Sequence, residues 1–138
     1  MEVTMTKLQT IEGIGEAYAG KLEQAGIGSL EALLEQCKTP KGRADLAAKS
    51  GISDKLVLKW ANRADLFRVK GIGEEFADLL EVAGVDTVPD LAQRNAENLY
   101  NKMAEVNAER KLARRLPSQA QVADWIEQAK QLPRVMTY

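Results

Sequence analysis

The chain has no histidine and a single cysteine, Cys37. That excludes a Cys/His zinc site and any Cys–His or Ser–His catalytic pair. Cys37 falls in an apolar helical pattern with Leu33 and Leu34, so a buried thiol in a reducing cytoplasm is expected. Aromatic residues make up only 5% of the 138, and Ala and Leu carry most of the apolar content. Small, closely packed helices fit that composition better than a β-sandwich does. No apolar run approaches the roughly 20 residues needed to cross a bilayer. The opening stretch MEVTMTKLQTIEG has no signal-peptide core, so no membrane partner and a cytoplasmic location are expected. A basic excess is missing as well: the net charge is −1 and the pI about 5.6. Dedicated nucleic-acid binders usually carry such an excess, so any phosphate contact here has to be local and geometric.

What the chain does have is a globular composition, 45% apolar and 28% charged, and a length that suits one domain or two small ones sharing a core. It also has a segment written twice. Residues Ile11 to Leu34 read IEGIGEAYAGKLEQAGIGSLEALL, and Val69 to Ala92 read VKGIGEEFADLLEVAGVDTVPDLA. Gly13, Ile14, Gly15, Glu16, Ala19, Leu22, Glu23, Ala25, Gly26 and Leu33 recur 58 positions later. A match at fixed offset is the mark of duplication.

The spacing predicts helices nearly throughout. One runs from about Glu16 to Gln24, with Gly26 as its left-handed stop. Ser29 caps a second that reaches about Cys37. Thr39-Pro40 starts a third, to about Ser50. Ser53 caps a fourth that carries Leu56, Val57, Trp60, Ala64 and Leu66 or Phe67. In the second half Thr87-Val88-Pro89-Asp90 is a start signal of capping-box type, and Asn95 opens a longer helix through Leu99, Met103 and Val106. Pro117 breaks the chain. Ser118 with Gln121 has capping-box spacing ahead of a last helix carrying Val122, Trp125 and Ile126. Trp60 and Trp125 hold matching places 65 apart, which implies an insertion of about seven residues around Asn107 to Arg115. Both tryptophans and Tyr18 are expected in the core.

The pattern Leu8-x-x-Ile11-x-Gly13-Ile14-Gly15-x-x-x-Ala19-x-x-Leu22, kept in part at Gly71, Ile72, Gly73, Ala77 and Leu80, closely resembles the helix-hairpin-helix motif. The first glycine of each turn supplies a backbone conformation closed to residues with a Cβ. Ile14 and Ile72 plug inward, the second glycine admits a close partner, and Ala19 and Ala77 let helices touch. The stretches GISDKLVLKWANRADLFRVKGIGEEFADLLEVAGVDTV and ARRLPSQAQVADWIEQAKQLPRVMTY extend the likeness over nearly the whole chain. It resembles a bacterial family of tandem helix-hairpin-helix proteins catalogued as a domain of unknown function. That resemblance implies an all-α fold of two tandem helix-hairpin-helix repeats, residues 1–68 and 69–138, each of about four to five short helices, packed as one compact unit. For the wider motif class it implies sequence-independent contact between hairpin amides and DNA phosphates, and in some members a monovalent cation on hairpin carbonyls. No other cofactor and no resident metal is expected.

The candidate anion-binding residues are therefore Gly13, Gly15, Gly71 and Gly73, with two basic groups. Lys38, Lys41 and Arg43 surround the Thr39-Pro40 helix start, where cations oppose the helix dipole. They read either as a solvated loop or as partners of a bound anion. Arg110, Lys111, Arg114 and Arg115 would make one patch through i,i+4 pairs if that segment is helical, and otherwise read as a solvated or salt-bridged face. Against phosphate stand Glu16, Glu74 and Glu75, on the first helical turns after the glycines. They either complement the helix dipole or repel: a carboxylate about 6 Å from a phosphate charge costs roughly 1–3 kcal/mol.

Three functions are weighed on these residues. A phosphate-backbone-binding module leads. A protein–protein adaptor or self-assembling scaffold is the alternative, and the acidic hairpin tips fit it. An enzyme is not expected, and neither is a small-molecule substrate. Gly-Ile-Gly-x-x is no dinucleotide fingerprint, since no strand precedes it and the third glycine is missing.

Overall fold

The computed structural model describes residues 6–11 and 13–138. The reading of the opening residues as lacking a signal-peptide core falls largely outside them. The protein is all-helical: among the described residues there is no strand. A short 3-10 turn, Leu8–Thr10, precedes α1 (Glu16–Gln24), α2 (Leu30–Cys37), α3 (Pro40–Ser50), α4 (Asp54–Leu66), α5 (Glu74–Val82), α6 (Val88–Ala92), α7 (Ala96–Arg110) and α8 (Gln119–Gln131). No helix among the described residues is long and apolar enough to cross a membrane.

The helix ends form where side chains satisfy the orphan amides of a first turn. Ser29 accepts from the Ala32 N–H, Thr39 from Gly42, Ser53 from Leu56 and Asn95 from Asn98. Ser118 and Gln121 form the reciprocal capping box that their spacing predicts. Thr87 departs from expectation. Its hydroxyl accepts from the Asp90 N–H, but the Asp90 carboxylate turns to Arg94, 3.3 Å away, so a one-sided cap replaces the box. An aspartate one turn before an arginine finds a charged partner on its own face, and that competes with reaching back to the cap.

Two helix stops repeat closely. After α1, Gly26 (φ +92) donates to Glu23 and Ile27 to Leu22 at 2.8 Å. After α5, Gly84 (φ +100) donates to Glu81 and Val85 to Leu80 at 2.8 Å. This paired bonding is the Schellman motif, and it satisfies the last carbonyls of each helix.

The described residues divide into two compact units. One comprises the described part of Met1–Asp65 with Val135–Tyr138, the other Leu66–Arg134. The boundary therefore falls at the end of α4, and the last four residues belong with the first unit.

In the first unit α1 packs on α3 and on the 3-10 turn, and α2 packs on α3. Leu22, Leu33, Cys37 and Val57 are fully buried, and Trp60 is 1% exposed with Tyr18 edge-on at 5.1 Å between ring centroids. In the second unit α6 and α7 pack on α8, and α5 on α7. Leu80, Leu91, Met103 and Val122 are fully buried, and Trp125 is 1% exposed with Phe76 tilted against it at 5.3 Å. Truncating either indole to Ala would cost on the order of 3–5 kcal/mol. Helix α7 has 15 residues against 11 in α3, and the loop 111–118 before α8 is longer than the 51–53 turn before α4.

Candidate functional site

Each Gly-Ile-Gly stretch makes a tight corner leading into a helix. In the first, the Ile14 N–H donates to Ile11 O at 3.1 Å, Gly13 sits at φ +96 and Ile14 is 3% exposed. In the second, the Ile72 N–H donates to Val69 O at 3.3 Å, Gly71 sits at φ +100 and Ile72 is 5% exposed. Both isoleucines plug the core, and all four glycines are exposed.

The two glycines of a corner have different reasons to be there. Gly13 and Gly71 occupy backbone closed to other residues. Gly15 (φ −88) and Gly73 (φ −99) occupy extended backbone, and a Cβ on either would meet nothing within 4 Å. The fold does not require glycine there. Moreover, α1 and α5 start on these glycines with no side-chain cap, whereas α2, α3, α4, α6, α7 and α8 each have one. The first-turn N–H groups of α1 and α5 thus keep their hydrogen-bonding capacity at the positive ends of helix dipoles.

The second corner is anchored by a residue that sequence reading missed. The Gln128 amide grips the Lys70 backbone from both sides, accepting from its N–H at 2.8 Å and donating to its carbonyl at 3.0 Å. That clamp fixes the residue before Gly71 to α8. Glutamine has no spacing signature, so nothing in the sequence marks it.

The second basic group is not the helical face that i,i+4 spacing suggested. Helix α7 ends at Arg110, and Lys111 takes the left-handed conformation (φ +51). The Asn107 side chain explains the stop. It accepts from the Ala113 N–H at 2.9 Å and donates to the Ala113 carbonyl at 3.1 Å, tying the loop back onto the helix. Arg110, Lys111, Arg114 and Arg115 are all exposed along this turn. Arg114 Nε lies 3.2 Å from Glu75 Oε1, which brings the basic loop beside the start of α5. A candidate cation and one of the carboxylates expected to oppose phosphate, nearly forty residues apart, thereby meet in one unit.

The first basic group is placed differently. Lys38 pairs with Glu35 at 2.8 Å and Lys41 with Asp45 at 3.2 Å. Arg43 Nη1 donates to the Cys37 carbonyl at 2.9 Å, closing the C-terminal end of α2. Each cation thus has a partner within the first unit, and Thr39 already caps α3. Burial pushes the Cys37 thiol up to about 11, an effect the nearby Arg43 charge partly offsets. Glu16 and Glu74 are exposed, and Glu75 is half-buried. Among the described residues no group of three or more Cys, Asp and Glu side chains is placed to hold a metal ion.

Fold and site together define an all-α protein that exposes two glycine corners opening uncapped helices, one of them rimmed by a basic loop. The chain belongs to the family described as domain of unknown function (DUF4332), whose model matches residues 12–132. No curated protein and no solved structure matches it.

Proposed function

We propose that this protein is a non-catalytic, cytoplasmic module of helix-hairpin-helix type that contacts the phosphate backbone of nucleic acid without reading its sequence. The contact is made by the uncapped amides after Gly73 together with Arg110, Lys111, Arg114 and Arg115. One observation carries the reading: the Arg114–Glu75 pair at 3.2 Å sets the basic loop beside an uncapped helix start whose N-cap glycine the fold does not need. Backbone amides supply direction and the loop supplies charge, which is how phosphate contacts position a protein without specifying a base. Glu75 already has a cationic partner, so its opposition to a phosphate is reduced.

The adaptor reading is favoured by a separate observation. Glu16 and Glu74 are exposed on the first turns of α1 and α5, where they oppose an approaching phosphate but suit a basic protein surface. Anisotropy titrations with labelled duplex and single strands decide between them. The phosphate reading expects binding at about 50 mM salt that weakens steeply as salt rises. Absence of binding to either strand form at tens of micromolar protein leaves the adaptor role.

A further inference from the structure

The basic loop of the second unit is sorted into two faces. Leu112, Ala113 and Leu116 pack against that unit's core, while Lys111, Arg114 and Arg115 are exposed. Asn107, in the last turn of α7, fixes the arrangement. Its side-chain amide accepts from the Ala113 N–H and donates to the Ala113 carbonyl, and its main-chain carbonyl accepts from the Lys111 N–H at 2.9 Å. One residue thus holds both ends of the short run that carries the chain out of the helix. Residues 110–115 include four cations, which repel one another. An exposed segment of like charges ordinarily extends and stays mobile. This one is tied down at an alanine that is 6% exposed.

The backbone of Lys111 is a separate observation. Among the described residues six have positive φ, and five of them are Gly13, Gly26, Gly51, Gly71 and Gly84. The sixth is Lys111, at φ +51. A residue with a Cβ is strained there, and glycine is the usual occupant where a helix stops in this way. The turn alone asks for glycine, yet a cation stands in its place.

We propose that Asn107 is a positioning residue of the phosphate contact: its amide presets the turn, so that Lys111, Arg114 and Arg115 meet phosphate already ordered. This rests on the phosphate-backbone reading above and adds that the loop is a formed part of the site, not a mobile basic arm. A mobile arm has to give up backbone freedom on binding. Freeing the backbone of even one residue weakens an affinity about fivefold or more. The left-handed lysine follows from the same requirement. The tight turn demands positive φ and the contact demands charge at one position, and glycine would meet only the first demand.

The test has two arms. In the first, backbone amide relaxation is measured by NMR on the free wild-type chain, so no substitution is needed. Order parameters of about 0.85 at residues 111–116, like those of rigid helix, are expected, and values below about 0.6 overturn a preset turn. In the second arm, labelled duplex is titrated with two variants, each checked by circular dichroism at the temperature of the titration. Asn107→Ala keeps every cation and frees the turn. It is expected to lower the order parameters at 111–116 and to weaken binding about fivefold, with the salt slope unchanged. Lys111→Gly keeps the Asn107 bonds and removes one cation. It is expected to make the salt slope shallower by about one. An Asn107→Ala chain that is folded, mobile at 111–116 and as tight a binder as the wild type overturns the role of Asn107 and leaves the phosphate reading standing. So does a loss of affinity no larger than the unfolded fraction of that variant explains. A wild-type chain that binds no duplex removes the phosphate reading itself, and the role of Asn107 with it.

Discussion

A Cβ added to Gly71 would stand 2.8 Å from Nε1 of Trp125, closer than real Cβ contacts come. The equivalent atom on Gly13 would stand 3.9 Å from Nε1 of Trp60, an ordinary contact. The two corners share a left-handed glycine and a tryptophan beneath it, yet the second is packed more tightly. Both alanine substitutions meet backbone strain of about 1–2 kcal/mol. Gly71→Ala must also displace a fully packed indole, which adds roughly 1–3 kcal/mol. Urea unfolding of the two variants is therefore expected to show Gly71→Ala as the more destabilised. Equal losses would mean that the Trp125 contact relaxes without cost.

Gly15 and Gly73 should behave in the opposite way. Their backbone suits any residue and their Cβ positions are open. Serine at an N-cap accepts from a first-turn amide, so Gly73→Ser is expected to stabilise the protein by a few tenths of a kcal/mol. It also fills the approach to the amides a phosphate would use. A variant that melts higher but binds nucleic acid several-fold more weakly separates function from fold. Unchanged binding would remove the amides from the interface.

The Gln128 clamp predicts a local effect. Gln128→Leu removes both hydrogen bonds to the Lys70 backbone at a cost of about 1–2 kcal/mol. Amide hydrogen exchange is expected to quicken at Lys70 and to change little at Ile14 in the first corner, whose N–H bonds to the Ile11 carbonyl. Uniform quickening across the chain would mean that the clamp contributes to global stability and not to the corner.

Cys37 sets a pH dependence whose sign follows from its burial. The thiol ionises near its ordinary 9.0 in the unfolded chain and near 11 in the folded one. Between those values the folded state holds a proton that the unfolded state has released, so stability falls as pH rises through this window. The loss reaches on the order of 2–3 kcal/mol by its upper end. Other groups titrate there too, so the comparison is with Cys37→Ala. The wild-type chain should lose stability faster between these pH values, and parallel curves would contradict the burial of the thiol.

Much of the fold was legible because helix boundaries are written in local chemistry. Ser29, Thr39, Ser53, Asn95 and Ser118 cap the helices they were expected to cap. The recurrence of Gly26 as Gly84 became two identical helix stops. What misled was charge spacing. Arg110 and Arg114 sit at helical separation, but the Asn107 side chain ends α7 between them by bonding to Ala113. Periodicity does not distinguish a residue that continues a helix from a loop folded back by one amide. The Asp90 carboxylate likewise had two possible partners, and Arg94 took it. Pairings across the chain, Gln128 with Lys70 and Arg114 with Glu75, leave no local trace because they depend on which elements meet.

The phosphate contact is the claim on which the functional account stands, and one salt-dependent titration tests it directly. Labelled duplexes of unrelated sequence are titrated with the intact chain and with Arg114→Gln, from about 50 to 200 mM salt. The account predicts equal affinity for all sequences and a log–log salt slope of roughly −2 to −4 that becomes shallower by about one in the variant. A chain that leaves every duplex unbound at the lowest salt, or a slope that Arg114→Gln does not change, contradicts it.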